Sequence, residues 1–279
     1  MPRWSAVVLV ACVLTAVAAA QIRGRRNPLD AGSGFVIDRN GVPTWDLDET
    51  HSEDVFTFVR IMYNPRGGGR YGKWATDWPD ADLNLSLRLQ QLTSLKVNPN
   101  PLVLELSDPR LFDYPFIYFA EPGGGWGNGL DFTPVEVENF RRYCENGGFA
   151  MFDDFWGEAE WFNFESEIRK VFPDKEIVDL PRDHPIFHIV YDLRETDNLQ
   201  IPAINYGVRG ITYEREDAKE VHYRAILDDQ DRIMVMICHN SDLGDGWERE
   251  GEHIDYFRNF SEKIAYPLGI NILIYAMTH

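Results

Sequence analysis

From residue 55 onward, short runs of branched and aromatic residues alternate with stretches of helical periodicity, and no other feature of this chain narrows its fold as much. Strands are expected at residues 55–62, 102–107, 115–120, 148–152, 176–180 and 232–238, with helices at 80–95, 135–144, 158–172 and 265–278. Such alternation predicts an α/β fold: a mainly parallel sheet flanked by helices. One helix start is signed in full, because Thr133-Pro134-Val135-Glu136 combines a capping box with proline at the first helical position. Gly147 or Gly148 is then placed to end that helix with a left-handed cap. The closing helix is apolar nearly all round, so Ile270, Leu273 and Ile274 are expected against the sheet. Residues 190–231 are polar and aperiodic and are expected to form a peripheral hairpin and long loops.

The first twenty residues do not belong to this pattern. Arg3, the apolar run from Ala6 to Ala20 and the small residues Ala18-Ala19-Ala20 before Gln21 read as a secretory signal, too short to span a membrane. The expected product is exported, periplasmic or extracellular, with no integral membrane segment after cleavage. Residues 21–54 read as an N-terminal arm or tether, and 55–279 as a single domain. The formal net charge is −18; losing Arg3 makes it −19, and a polyanion would be repelled, which excludes nucleic acid as a partner. Cys144 falls on an expected helix and Cys238 inside an expected strand, so two buried free thiols are expected rather than a bridge.

Two glycine turns invite a phosphate-binding reading and fail it. Residues 67–72 fit G-x-G-x-x-G, but further loop follows where a helix should open. Residues 123–127 lack the Lys-Ser/Thr of a P-loop. The informative signal is where strands end: Asp108, Glu121, Asp153-Asp154 and His239-Asn240-Ser241-Asp242 each follow one. Parallel strands present these ends on one rim, which is where open α/β sheets hold ligands. Taken singly, each acid is a turn or helix cap; their convergence is what points to a site.

Asp153, Asp154, Trp156, His239, Asn240, Asp242 and Trp247 are the expected ligand-binding residues, with Trp156 or Trp247 as a partial roof. Trp126, Phe155, Trp161 and Phe162 crowd the same loops, and aromatics beside carboxylates suit a sugar ring, although each separately reads as packing. No cofactor is expected. A divalent metal is the alternative, on Asp154 or Asp153 with His239 and Asp242, and His184 with His188 forms a second imidazole pair.

Asp153-Asp154-Phe155-Trp156-Gly157 with Glu160-Trp161, and the stretch from His239 to Glu248, resemble a bacterial family described as a domain of unknown function. Phe56 to Arg60 with Tyr63, His184 to Phe187, and the ending from Gly269 to Ala276 share the likeness, which covers about 55–279. The resemblance implies a class I glutamine-amidotransferase-like, flavodoxin-like sandwich and carries no activity with it. It also makes a glutaminase improbable, since residues 153–157 hold the turn where such enzymes place a nucleophilic cysteine. The expected function is therefore binding of a polar small molecule or glycan at the rim. A metal-assisted or carboxylate-based hydrolase at the same place, and a structural or protein-interaction module, are the alternatives.

Overall fold

The computed structural model describes residues 37–47, 54–63, 72–124 and 129–279. The signal segment, most of the arm, residues 67–71 of the first glycine turn and Trp126 lie outside them. Within the unit Asp38–His279, seven strands make one sheet: β1 (Val59–Ile61), β2 (Leu102–Leu104), β3 (Phe116–Ala120), β4 (Phe149–Phe155), β5 (Ile177–Asp179), β6 (His222–Leu227) and β7 (Ile233–His239). Their spatial order is β2-β1-β3-β4-β7-β6-β5. Every neighbouring pair from β2 through β7 is parallel, whereas β6 runs antiparallel to both β7 and β5.

The sheet is covered on both sides, which is why its central strands read as unbroken apolar runs: every residue of β3, β4 and β7 is buried. Alternation still sorts their side chains. Phe116, Tyr118, Phe149, Met151, Met236 and Cys238 pack into a cluster with α1 (Asp80–Leu92), α5 (Leu243–Glu248) and α7 (Tyr266–Thr278). Phe119 and Phe152 stack at 4.2 Å on the opposite face, where Phe140 of α2 (Pro134–Glu145) and Phe164 of α3 (Gly157–Val171) close over them. Each such fully buried ring contributes roughly 2–3 kcal/mol of transfer free energy.

The helix signals are realised as expected. Thr133 and Glu136 form the reciprocal capping box, and Gly147 takes the left-handed conformation just past α2. In α7, Ile270 and Leu273 are buried and Ile274 is half-buried. Cys144 and Cys238 are buried and unbridged. Among the described residues no helix is long and apolar enough to cross a membrane.

Three local readings are corrected. Residues 190–231 contain β6, which is no peripheral element: it pairs along β7 through a hairpin closed by Asp228, whose carboxylate accepts from the Gln230 and Arg232 amides. Its alternating polar outer positions masked it. The same stretch holds a short helix, α4 (Ile204–Gly207), where loop was expected, and ahead of α7 the chain passes through α6 (Ile254–Tyr256) and a π-helical segment, Phe257–Ala265, where no element was expected. The second imidazole pair is not at the rim: His184 caps a 3₁₀ turn, accepting from the Ile186 amide, and its ring lies tilted against Tyr275 at 5.6 Å. Tyr275 packs on Phe149 at the start of β4, so this pair lies at the opposite end of the sheet from the rim.

Candidate functional site

The carboxyl ends of β1, β3, β4 and β7 lie side by side, and the backbone beyond them is knitted across the rim. The Glu121 amide donates to the Asp153 carbonyl, the Asp154 amide to Ser241, and the Asn240 amide to Phe155. The regular register between β4 and β7 breaks between Phe152 and Phe155. Asp77, Glu121, Asp154 and Asn240 all adopt left-handed backbone, with φ of 61°, 44°, 58° and 61°. Asp and Asn tolerate that region better than other non-glycine residues, but it remains a cost that is concentrated here.

Asp153 is fully buried and continues the face of Tyr118 and Met151. Its Oδ2 accepts from the Tyr118 hydroxyl at 3.0 Å and the Gly244 amide at 2.9 Å, while Oδ1 has no hydrogen-bond partner. Burial pushes its carboxyl up to about 7, with the amides and the hydroxyl pulling the other way. Asp154 accepts from the Trp156 indole at 3.0 Å. Asp242 caps α5, accepting from the Asp245 amide at 2.7 Å. Between them comes a residue that the strand-end argument did not select, Asp77, from the loop leading into α1. One oxygen from each of Asp77, Asp154 and Asp242 lies within 4.8 Å of the others, and all three residues are buried. Burial first, and neighbouring carboxylates second, hold all three carboxyls well above the usual range: Glu248 and Asp245 act on Asp77, Glu121 and Asp77 on Asp154, and Asp154 and Asp77 on Asp242. Gly244 permits the approach: a Cβ there would fall 2.4 Å from Asp77 Oδ2 and 2.9 Å from the Tyr118 hydroxyl.

Arg60 supports this arrangement from below. It is fully buried at β1, grips Asp82 of α1 at 2.5 Å and donates to the carbonyls of Trp74 and Thr76 on the loop that carries Asp77. Burial opposes its charge, but the Asp82 carboxylate overrides that and raises its pKa. A second acidic triad, Asp77, Asp245 and Glu248, shares one member with the first. Arg249 already neutralises it, with ion pairs to Asp245 at 3.1 Å and Glu248 at 2.6 Å.

The other expected site residues reach the rim but turn away from the carboxylates. His239 spends Nδ1 on Arg224 and Nε2 on the Gly157 carbonyl, under the rings of Phe155 and Trp161. Burial lowers its pKa to about 4. It is therefore not part of either acidic triad, and its expected place in a metal set with Asp154 and Asp242 is corrected. Asn240 is a brace, accepting from the Gly157 amide and donating to the Glu220 carbonyl. Trp247 is no roof: it is fully buried, donates to the Ala265 carbonyl and lies against Tyr118. Trp156 is buried likewise, so neither offers a face for stacking. Asp108 has its charge satisfied by Arg110.

Two signals could have found the missing members. Asp242, Asp245 and Glu248 recur every three residues, the spacing that lines up carboxylates along one helical turn. The loop between the first strand and first helix opens on the same rim as every other strand end, so Asp77 deserved the weight given to Asp154. No curated protein matches the chain. The model of the family described as Domain of unknown function (DUF4159) matches residues 57–277, a span that includes Arg60, Asp77 and all the rim carboxylates. The chain belongs to that family.

Proposed function

We propose that this is an exported envelope protein with a flavodoxin-like, class I glutamine-amidotransferase-like sandwich, which uses the carboxyl-end rim of its sheet to bind a polar, donor-rich ligand. The fold assignment is supported by the order of the five parallel strands, β2-β1-β3-β4-β7, which follows the flavodoxin-like pattern with β5 and β6 added at one edge. The observation that carries the binding reading is that, of four buried carboxylate oxygens without a hydrogen bond among the described residues, those of Glu121 and Glu248 have ion pairs with Lys73 and Arg249 while those of Asp77 and Asp153 have none. An acid buried only to stabilise a turn would have its oxygens satisfied, because an unpaired buried polar atom costs about 1–3 kcal/mol.

Glutaminase chemistry has no support. Burial raises both thiols, one within α2 and the other within β7, and neither stands at the junction of β4 and α3, where Asp154 takes the left-handed backbone at the end of the strand. The preferred ligand is hydroxylated or cationic, matching acceptor-only carboxylates. Stacking on Trp156 or Trp247 is no part of it.

Mass spectrometry of the exported protein tests the first half: the mature chain is expected to begin at Gln21, and an intact Met1 or Arg3 refutes export by this signal. A glycan, polyol and amine array tests the second. Asp153→Asn is expected to fold and to lose at least about tenfold in affinity for the binder found with the wild-type chain. Unchanged affinity would detach the rim from binding, and a variant that cannot fold would make the motif structural.

A further inference from the structure

The orphaned Asp77 oxygen poses a narrower question: what belongs opposite it. Asp77 is buried and its Oδ2 has no hydrogen-bond partner among the described residues, and one oxygen of Asp77 lies within 4.8 Å of one from each of Asp154 and Asp242. Asp154 accepts from the Trp156 indole and Asp242 from the Asp245 amide, each through Oδ1. Three carboxylates thus bring one oxygen each together, and at Asp77 the described residues leave a buried oxygen without a donor. Their mutual separation, within 4.8 Å, matches the span across a coordination sphere whose metal–oxygen distances are about 2.1–2.5 Å.

We infer that Asp77, Asp154 and Asp242 form the first shell of a single hard divalent cation, of the Ca²⁺, Mn²⁺ or Mg²⁺ class, with the remaining positions open to water or to the ligand's own oxygens. This deepens the rim reading above and rests on it. All three ligands are carboxylates, which favours oxygen-loving ions over zinc or copper, and His239 is engaged elsewhere. The neighbouring triad of Asp77, Asp245 and Glu248 already holds the Arg249 guanidinium, so the stoichiometry is one ion per chain. The left-handed backbone at Asp77 and Asp154, and the absence of a side chain at Gly244, bring the three groups to one point.

The test uses the mature protein stripped with chelator and titrated with Mn²⁺ by calorimetry and by electron paramagnetic resonance. One saturable site is expected, displaced by excess Ca²⁺ or Mg²⁺. Asp77→Asn keeps the side chain's shape and removes no side-chain hydrogen bond seen among the described residues, and should weaken Mn²⁺ at least about tenfold. Asp229→Asn, at an exposed acid far out on the β6–β7 turn, should leave it unchanged. A second readout needs no variant: Tb³⁺ in this site lies beside the Trp156 indole, so indole-sensitised terbium luminescence should appear with the same stoichiometry and vanish on adding Ca²⁺. Absence of saturable Mn²⁺ binding, or equal affinity in Asp77→Asn, overturns the inference. If the array binder still binds in chelator while Mn²⁺ does not, the cation falls and the rim reading stands; if neither binds, both fall.

Discussion

Removing the Arg60 guanidinium isolates how the site is held in place. Its side chain is wholly enclosed and makes three kinds of contact: an ion pair with Asp82, also wholly enclosed, hydrogen bonds to the carbonyls of Trp74 and Thr76 at 2.9 and 2.7 Å, and a cation–π approach to Tyr118 at 4.9 Å. In Arg60→Met the abandoned Asp82 charge should cost about 3–5 kcal/mol. Each carbonyl left without a donor adds about 1–3 kcal/mol. The sum rivals the whole stability of an ordinary domain, about 5–15 kcal/mol. The double variant Arg60→Met with Asp82→Leu removes the stranded charge and should recover the first contribution. A buried ion pair can often be replaced this way at no net cost, but here the two carbonyls remain unpaired, so the double variant should stay about 2 kcal/mol or more below wild type. Urea unfolding followed by tryptophan fluorescence measures all three proteins. A double variant as stable as wild type would show that the carbonyl contacts contribute nothing. A single variant within about 1 kcal/mol of wild type would refute the account of the pair itself. Arg60→Lys should not rescue, since an ammonium cannot reproduce the planar fork that serves Asp82 and the loop together.

The buried imidazole makes a prediction about pH. His239 protonates near 6.5 when unfolded but only near 4 in the fold, so the unfolded state binds more protons between these values, and the contribution of His239 is complete above 6.5 and lost as pH falls toward 4. Over that window it amounts to roughly 3 kcal/mol, and the stability difference between wild type and His239→Gln should shrink by about 2 kcal/mol from pH 7 to pH 5; parallel pH profiles for the two proteins would refute it. Thr133→Ala should lose about 1 kcal/mol by urea unfolding and Thr133→Ser very little, because the exposed hydroxyl caps α2. Cys144 and Cys238 should resist a thiol reagent in the native protein and react on unfolding, since both are enclosed and their thiolates disfavoured. Labelling of either under native conditions would contradict their placement.

How much of this was readable in the chain depended on whether the signal was local. The central strands, the α2 cap and the closing helix follow from periodicity and capping chemistry within a dozen residues, and they stand where expected. β6 was hidden because a strand with one half-exposed face carries His222 and Arg224 between its apolar residues, and only its pairing with β7 makes it a strand. The rim was found by a topological argument, that parallel strands end together, and that argument is indifferent to where side chains point. It therefore selected His239, whose backbone lies on the rim but whose ring is captured by Arg224 and Phe155, and Trp247, which turns inward to the Ala265 carbonyl. It passed over Asp77 for the complementary reason: that residue lies sixteen positions beyond the end of β1 rather than directly after it, and Arg60, twenty-two residues ahead of its partner Asp82, holds the intervening loop across the end of β1. A buried arginine in the middle of an apolar strand was the visible trace of that tie. A charge at such a position must find a carboxylate and satisfy its remaining donors, and in an α/β chain the next loop and helix are the nearest place for both. Reading Arg60 as a constraint on the loop rather than as an interruption of the strand would have led to Asp82, and from there to Asp77 between them, one of whose buried oxygens has no hydrogen bond among the described residues.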